Sequence, residues 1–100
     1  MVYKNFYVAG MEYYESYKIQ NKLKIGDKLK LKTEPQNRFD ENAVEIYYKK
    51  YKLGYIPKRA NYSIAQILNK GHNIFKAYIQ NIDENGIKVA VIIKKIKDKT

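Results

Sequence analysis

The chain has no cysteine, no tryptophan, one histidine, two prolines and, of its 20 basic residues, only two arginines in 100 positions. Without cysteine there is neither a disulfide framework nor a thiolate metal site, which fits a reducing compartment, and a cytoplasmic location is expected. The lone His72 leaves zinc binding and histidine catalysis almost no material. No apolar run approaches the length that spans a bilayer, and the N-terminal MVYKNFYVAGMEYY has no apolar core of signal-peptide length. Asp27, Asp40, Asp83 and Asp98 are scattered, and Glu12, Glu15, Glu34, Glu41 and Glu45 form no metal-ligand spacing. There is no glycine-rich phosphate loop, and Ser16 and Ser63 are the only serines. These gaps exclude the common enzyme classes and call for no cofactor, no metal and no membrane.

What is present is positive charge. The formal net charge is +10, with 10 basic and 7 acidic residues in positions 1–50 and 10 basic and 3 acidic in 51–100. A phosphate backbone is the usual partner of such an excess, because each neutralised phosphate releases condensed counterions. A solvated basic surface is the plainer alternative. Lys, Ile, Asn and Tyr are all abundant, as in proteins from AT-rich genomes, and selection for phosphate forks favours Arg over Lys.

One hundred residues with 45% hydrophobic composition make a single globular domain, spanning 1–100 with a core of about 4–95 and a frayed charged tail at 96–100. A free-standing monomer is the expectation. Period-two alternation dominates: strands are predicted near 3–10, over the strict alternation of Lys28 to Lys32, over 44–47, and over 53–56 after a Tyr- and Lys-rich bend at 48–52. Two more strands, near 73–82 and 87–96, meet at Asn85-Gly86, a short-hairpin signal. Ala60, Ile64, Ile67 and Leu68 recur at helical spacing, and Gly71 stands where a left-handed C-terminal cap belongs. Residues 13–25 read equally as a loop or a helical turn. Six short strands and one or two short helices make the fold class mainly β, a strongly bent sheet closing into a barrel.

The side chains with chemistry gather around EPQNRFDENAVEIYYKKYKLGYIPKR, residues 34–59. Eleven tyrosines are unusual; Tyr3, Tyr7 and Tyr78 fall within strands and suit core or half-core roles. Tyr13-Tyr14 follows Gly10-Met11 at a strand end, so the two rings point to opposite sides and one of them stands exposed, as a stacking platform does. In the turn Asn37 to Asn42, Asn and Asp side chains serve backbone N–H groups as Asx-turns, and that is the reading for Asn42. Phe39 at a polar turn tip costs exposed apolar area unless something covers it. Asp40 beside it repels phosphate and suits a sugar hydroxyl, a base amino group or a metal.

These features in this order resemble the HIRAN domain. The matching residues are Phe6 to Gly10, Tyr13-Tyr14, Gly26 to Leu31, Glu34-Pro35, Asn37, Phe39-Asp40, Asn42 to Val44, Gly54 to Pro57 and the helix ending at Gly71. The specific part is the block N-x-[FY]-D-x-N-A followed by G-Y-[IV]-P. The resemblance implies a small OB- or SH3-like barrel that captures single-stranded DNA ends, with preference for a free 3′-hydroxyl. Such modules occur in Swi/Snf-type translocases and, alone or beside nucleases, in bacteria and phages, so an associated helicase or nuclease and a place in DNA repair are implied too. Carried over by position, Tyr13 and Phe39 would sandwich the terminal base, Asp40 would accept a bond from the 3′-hydroxyl, and Asn37 would shape that pocket. Tyr14 would support its wall, and Tyr55 and Lys58 would approach the phosphates, with Arg59 beside them. The sequence departs from the pattern at Glu12, where DNA-binding members can carry Arg. Glu12 motivates one alternative, a protein-interaction module with a degraded DNA site, and the same aromatics permit another, an RNA-binding barrel.

Overall fold

The computed structural model describes residues 2–14 and 16–94. Six strands are present: β1 (Val2–Tyr7), β2 (Lys28–Thr33), β3 (Val44–Tyr48), β4 (Tyr51–Tyr55), β5 (Phe75–Asp83) and β6 (Gly86–Ile93). Two helices accompany them, the single turn α1 (Ser16–Ile19) and the longer α2 (Lys58–Asn69). The fold class is as expected, mainly β. Of segment 13–25, residues 16–22 form helical turns, α1 running into a 3-10 turn at Gln20–Lys22, and a further 3-10 turn at Met11–Tyr13 precedes them. The end of the expected last strand and the charged tail lie outside the described residues. Among the described residues no helix is long and apolar enough to cross a membrane.

All strand pairs are antiparallel, in the order β1-β6-β5-β2-β3-β4. The sheet curls until its two edges meet at a single bridge, where Ala9 and Tyr55 exchange backbone bonds of 2.8 and 2.9 Å. Gly54 makes that approach possible, because a Cβ there would collide with the Ala9 carbonyl oxygen and the Val8 side chain. The first strand is consequently shorter than the sequence suggests, and residues 8–10 peel off to close the barrel.

The alternating apolar residues converge on one core. Phe6, Val44, Ile46, Leu53, Ile79, Val89 and Val91 are buried from the sheet, and Ile64 plugs the barrel from α2. The expected bend at 48–52 is tighter than anticipated: Lys49-Lys50 alone forms the turn, with Lys49 in the left-handed region at φ 53°. Helix α2 begins directly after Pro57, whose ring fixes φ at −59° without a side-chain cap. It ends as predicted at Gly71, where φ is 87°. The Gly71 N–H bonds the Leu68 carbonyl and the His72 N–H bonds the Ile67 carbonyl, the two bonds of a Schellman motif.

Candidate nucleic-acid interface

The loop at 34–43, between β2 and β3, is built from its own polar side chains. The Asn37 carboxamide oxygen accepts the backbone N–H groups of Phe39 and Asp40 at 2.8 and 3.0 Å. One Asp40 oxygen then accepts the Asn42 N–H at 2.9 Å, an Asx-turn following on the first. Asn42 itself does not make the expected Asx-turn; its side-chain oxygen instead accepts a 2.9 Å bond from Gln66 Nε2 of α2. Two further bonds tie the loop to that helix. Buried Asn61 donates to the second Asp40 oxygen at 2.7 Å, and Lys58 Nζ donates to the Phe39 carbonyl at 3.3 Å.

So clamped, the loop turns Phe39 outward, where 88% of its surface is exposed. The hydrophobic effect gives an isolated ring no reason to stand there. Tyr13 is exposed likewise, at 77%, while its neighbour Tyr14 packs edge-on against Tyr55 with centroids 5.7 Å apart. The two rings of the pair therefore diverge as the sequence predicts. Tyr14, Tyr55, Phe39, Asn37, Asp40 and Lys58 line one open cavity of about 390 Å³, completed by Ala9, Ala43, Ile56 and Pro57. Tyr13 and Arg59 are not among its walls. Arg59 is exposed on the first turn of α2, and Glu12 is exposed beside Tyr13.

Behind the aromatic wall lies an ionic network that sequence reasoning missed. Lys52 Nζ sits 4.2 Å from the ring centroids of both Tyr14 and Tyr55, a double cation–π contact. It donates to the Tyr55 hydroxyl at 2.9 Å and pairs with the buried Glu45 carboxylate at 3.0 Å. The Tyr47 hydroxyl donates to the same carboxylate at 2.9 Å. The Tyr55 hydroxyl in turn donates to Glu34 at 2.8 Å, and Glu34 also accepts Asn37 Nδ2. A continuous chain of bonds thus runs from Glu45 through Lys52, Tyr55 and Glu34 to Asn37, the residue that shapes the loop.

The network fixes protonation states. Burial alone would lower the Lys52 pKa, but its bonds to Tyr55 and Glu45 and the Glu45 charge hold it above the ordinary lysine value. Burial pushes the Tyr55 hydroxyl up, the Lys52 ammonium draws it down, and Glu34 and Tyr14 raise it again, to about 12 in balance. The Asn37 bond lowers the Glu34 carboxyl, against burial and with help from Tyr55 and Lys52. In and behind the cavity wall, then, a protonated phenol, a lysine and a carboxylate persist through the neutral range.

The sequence pattern points away from this network. Glu45 alternates with Val44 and Ile46 and so reads as solvent-facing, yet all three are buried, because Lys52 and Tyr47 close over its face. Cross-strand pairing of Tyr47 with Lys52 and of Glu45 with Tyr55 is what gathers the group, and register is not visible in a single strand's pattern.

Known folds fit this geometry. A crystal structure of a protein from Lactobacillus plantarum superposes with a TM-score of 0.80 at 21% identity, covering 91% of each chain. The crystal structure of the HIRAN domain of human HLTF superposes with a TM-score of 0.71 at 16% identity, covering 92% of this chain and 76% of that one. At such identities the likeness is one of fold. No curated protein gives a match. The HIRAN domain model matches residues 2–96, nearly the whole chain. The chain therefore belongs to the HIRAN domain family, a family of DNA-binding modules.

Proposed function

We propose that the cavity beside the 34–43 loop captures the 3′-hydroxyl end of single-stranded DNA, and that the protein acts without catalysis, as a monomer that presents the end to an associated helicase or nuclease. The supporting observation is the acid in the cavity wall. Asp40 lines the pocket with Tyr14, Tyr55 and Phe39, in a chain whose net charge is +10. A phosphate-only site has no use for a carboxylate, whereas a terminal hydroxyl donates to one. Each Asp40 oxygen already accepts one protein bond, from Asn42 or Asn61. A carboxylate has about four lone-pair sites, so acceptor capacity remains for a ligand hydroxyl in a fixed orientation.

The remaining roles follow from position. Phe39 and Tyr14 offer faces for the terminal base, and Tyr13, outside the cavity, offers one to a neighbouring base. Lys58 spends one N–H on the Phe39 carbonyl and keeps two for a phosphate. Tyr55 supports the wall through Lys52, and Arg59 adds charge nearby. Fluorescence anisotropy with a short oligonucleotide ending in a 3′-hydroxyl or a 3′-phosphate tests the reading. Tighter binding of the hydroxyl end is expected, and Asp40→Asn should erase the difference. Equal affinity of the wild type for both ends would sink end recognition.

Glu12 favours a second reading. Its exposed carboxylate beside Tyr13 repels a phosphate, as it would not repel a protein partner. Absence of DNA binding at low salt, with a specific protein partner co-purifying, would establish that module instead.

A further inference from the structure

A second cavity, of about 460 Å³ against about 390 Å³ for the aromatic pocket, is a seam in the barrel between β2 and β5. The two strands pair only at Lys28 with Tyr78 and Leu29 with Ala77. Both continue, but apart. Beyond Leu29, β2 pairs with β3, while β5 from Phe75 pairs with β6. Continuing the antiparallel register would set Lys30 opposite Lys76 and Leu31 opposite Phe75. Like charges directly opposed destabilise a ladder, which gives a physical reason for the strands to part there.

The seam has two differently made levels. Strand alternation puts Lys28, Lys30 and Lys76 on the outer face, and Leu29, Leu31, Phe75 and Ala77 on the inner face. Leu68 of α2 lines the bottom, and Lys94 stands at the rim. An adjoining cleft adds Lys32 and His72. Among the described residues no carboxylate lines either space. Lysines commonly guard a sheet edge against pairing with other chains. That guard explains the rim without explaining an apolar cavity beneath it. Phosphodiester backbone fits the rim and fails the floor, since it carries no apolar groups to bury.

We propose that this seam is a docking site for an extended peptide strand whose residues alternate between apolar and acidic, supplied by a partner protein. Such a strand pairs its backbone along the side of β2 that β5 abandons after Leu29. Its apolar side chains turn inward onto Leu31, Leu68 and Phe75, and its carboxylates turn outward to Lys28, Lys30 and Lys76. The same lysines reject basic or neutral strands, so the edge is guarded and selective at once. The site is independent of the aromatic pocket and of what that pocket binds.

The test is amide chemical-shift mapping on the full chain with a capped peptide of alternating Glu and Val, about six residues long, enough at ~3.3 Å per residue to pair along the parted stretch of β2. Saturable shifts at residues 28–33 and 75–78 are expected, with none from a Lys and Val peptide of the same length. The double variant Lys30→Glu, Lys76→Glu, checked for a dispersed folded spectrum, should lose the acidic peptide and take the basic one. Absence of shifts at these strands, or equal shifts from both peptides, would overturn the proposal. So would displacement of the acidic peptide from the seam by a short oligonucleotide, which would assign the groove to nucleic acid.

Discussion

The aromatic pocket and the lysine-rimmed seam lie against opposite ends of α2, Lys58 lining the first and Leu68 the second. Both sit on a strongly basic chain, yet they use charge in opposite ways. At the pocket both lysines of the wall make bonds within the protein: Lys52 is held by Glu45 and two rings, and Lys58 gives one N–H to the Phe39 carbonyl. Much of the charge there goes into positioning aromatic and acidic groups. At the seam the lysines Lys28, Lys30 and Lys76 are exposed along a rim with no carboxylate among the described residues of its lining. Net charge therefore says little about where an anion goes. What separates the two regions is how much of the charge is already bonded.

The largest expected effect follows from that contrast. Lys52→Met removes the cation from a pair whose side chains are only 17% and 8% exposed, leaving the Glu45 carboxylate with the Tyr47 hydroxyl alone. Breaking a buried pair from one side costs about 3 kcal/mol, and urea denaturation should show a loss of that order. DNA affinity should fall with it, because the Tyr14 and Tyr55 rings lose the group between them. Lys30→Gln at the seam should stay within about 0.5 kcal/mol of wild type, as surface substitutions do. Equal losses at the two sites would erase the distinction between engaged and exposed lysines.

A smaller effect separates binding from folding within the pocket. Phe39 is 88% exposed, so Phe39→Ala should leave stability within about 0.5 kcal/mol of wild type. A stacked base is worth ~1–3 kcal/mol, so affinity for a short single strand should drop roughly 5- to 150-fold. Affinity unchanged in this variant would mean that the exposed ring serves some other contact. Seam titrations with the acidic peptide should be indifferent to it.

The comparison also shows what single-strand patterns reveal. Alternation in Lys28 to Lys32 and the cap at Gly71 are local signals that stand in the structure as read, whereas the hairpin expected at Asn85-Gly86 turns one residue earlier, at Glu84-Asn85, with Gly86 paired to Asp83 at the start of β6. The loop residues Asn37, Phe39 and Asp40 were legible because polar turns with an exposed ring are locally anomalous. Lys52, Glu45 and Asn61 were not. Each acts on a residue distant in the chain or across a hairpin, and only register or helix docking brings them together. The seam was hidden for a related reason. Lys30 and Lys76 look ordinary in their own strands, and their significance comes from the ladder that stops before reaching them.

The smallest predicted effect concerns the ionic wall alone and appears on the alkaline side. Unfolded, a tyrosine loses its proton near 10.0 and a lysine near 10.5, whereas folded Tyr55 holds its proton to about 12 and Lys52 is also shifted upward. Above about pH 10 the native state therefore binds more protons than the unfolded chain, so stability falls as pH rises. Below the unfolded values both states are protonated and the contribution is fully present. Tyr47, raised by its bond to Glu45, acts in the same direction. Tyr55→Phe removes one of these groups and weakens the hold on Lys52, so its stability should decline less steeply across that window than the wild type's. Denaturation midpoints taken at neutral pH and through the alkaline window measure the slope. Parallel curves for the two proteins would place the alkaline sensitivity outside the pocket wall and return Tyr55 to a packing role.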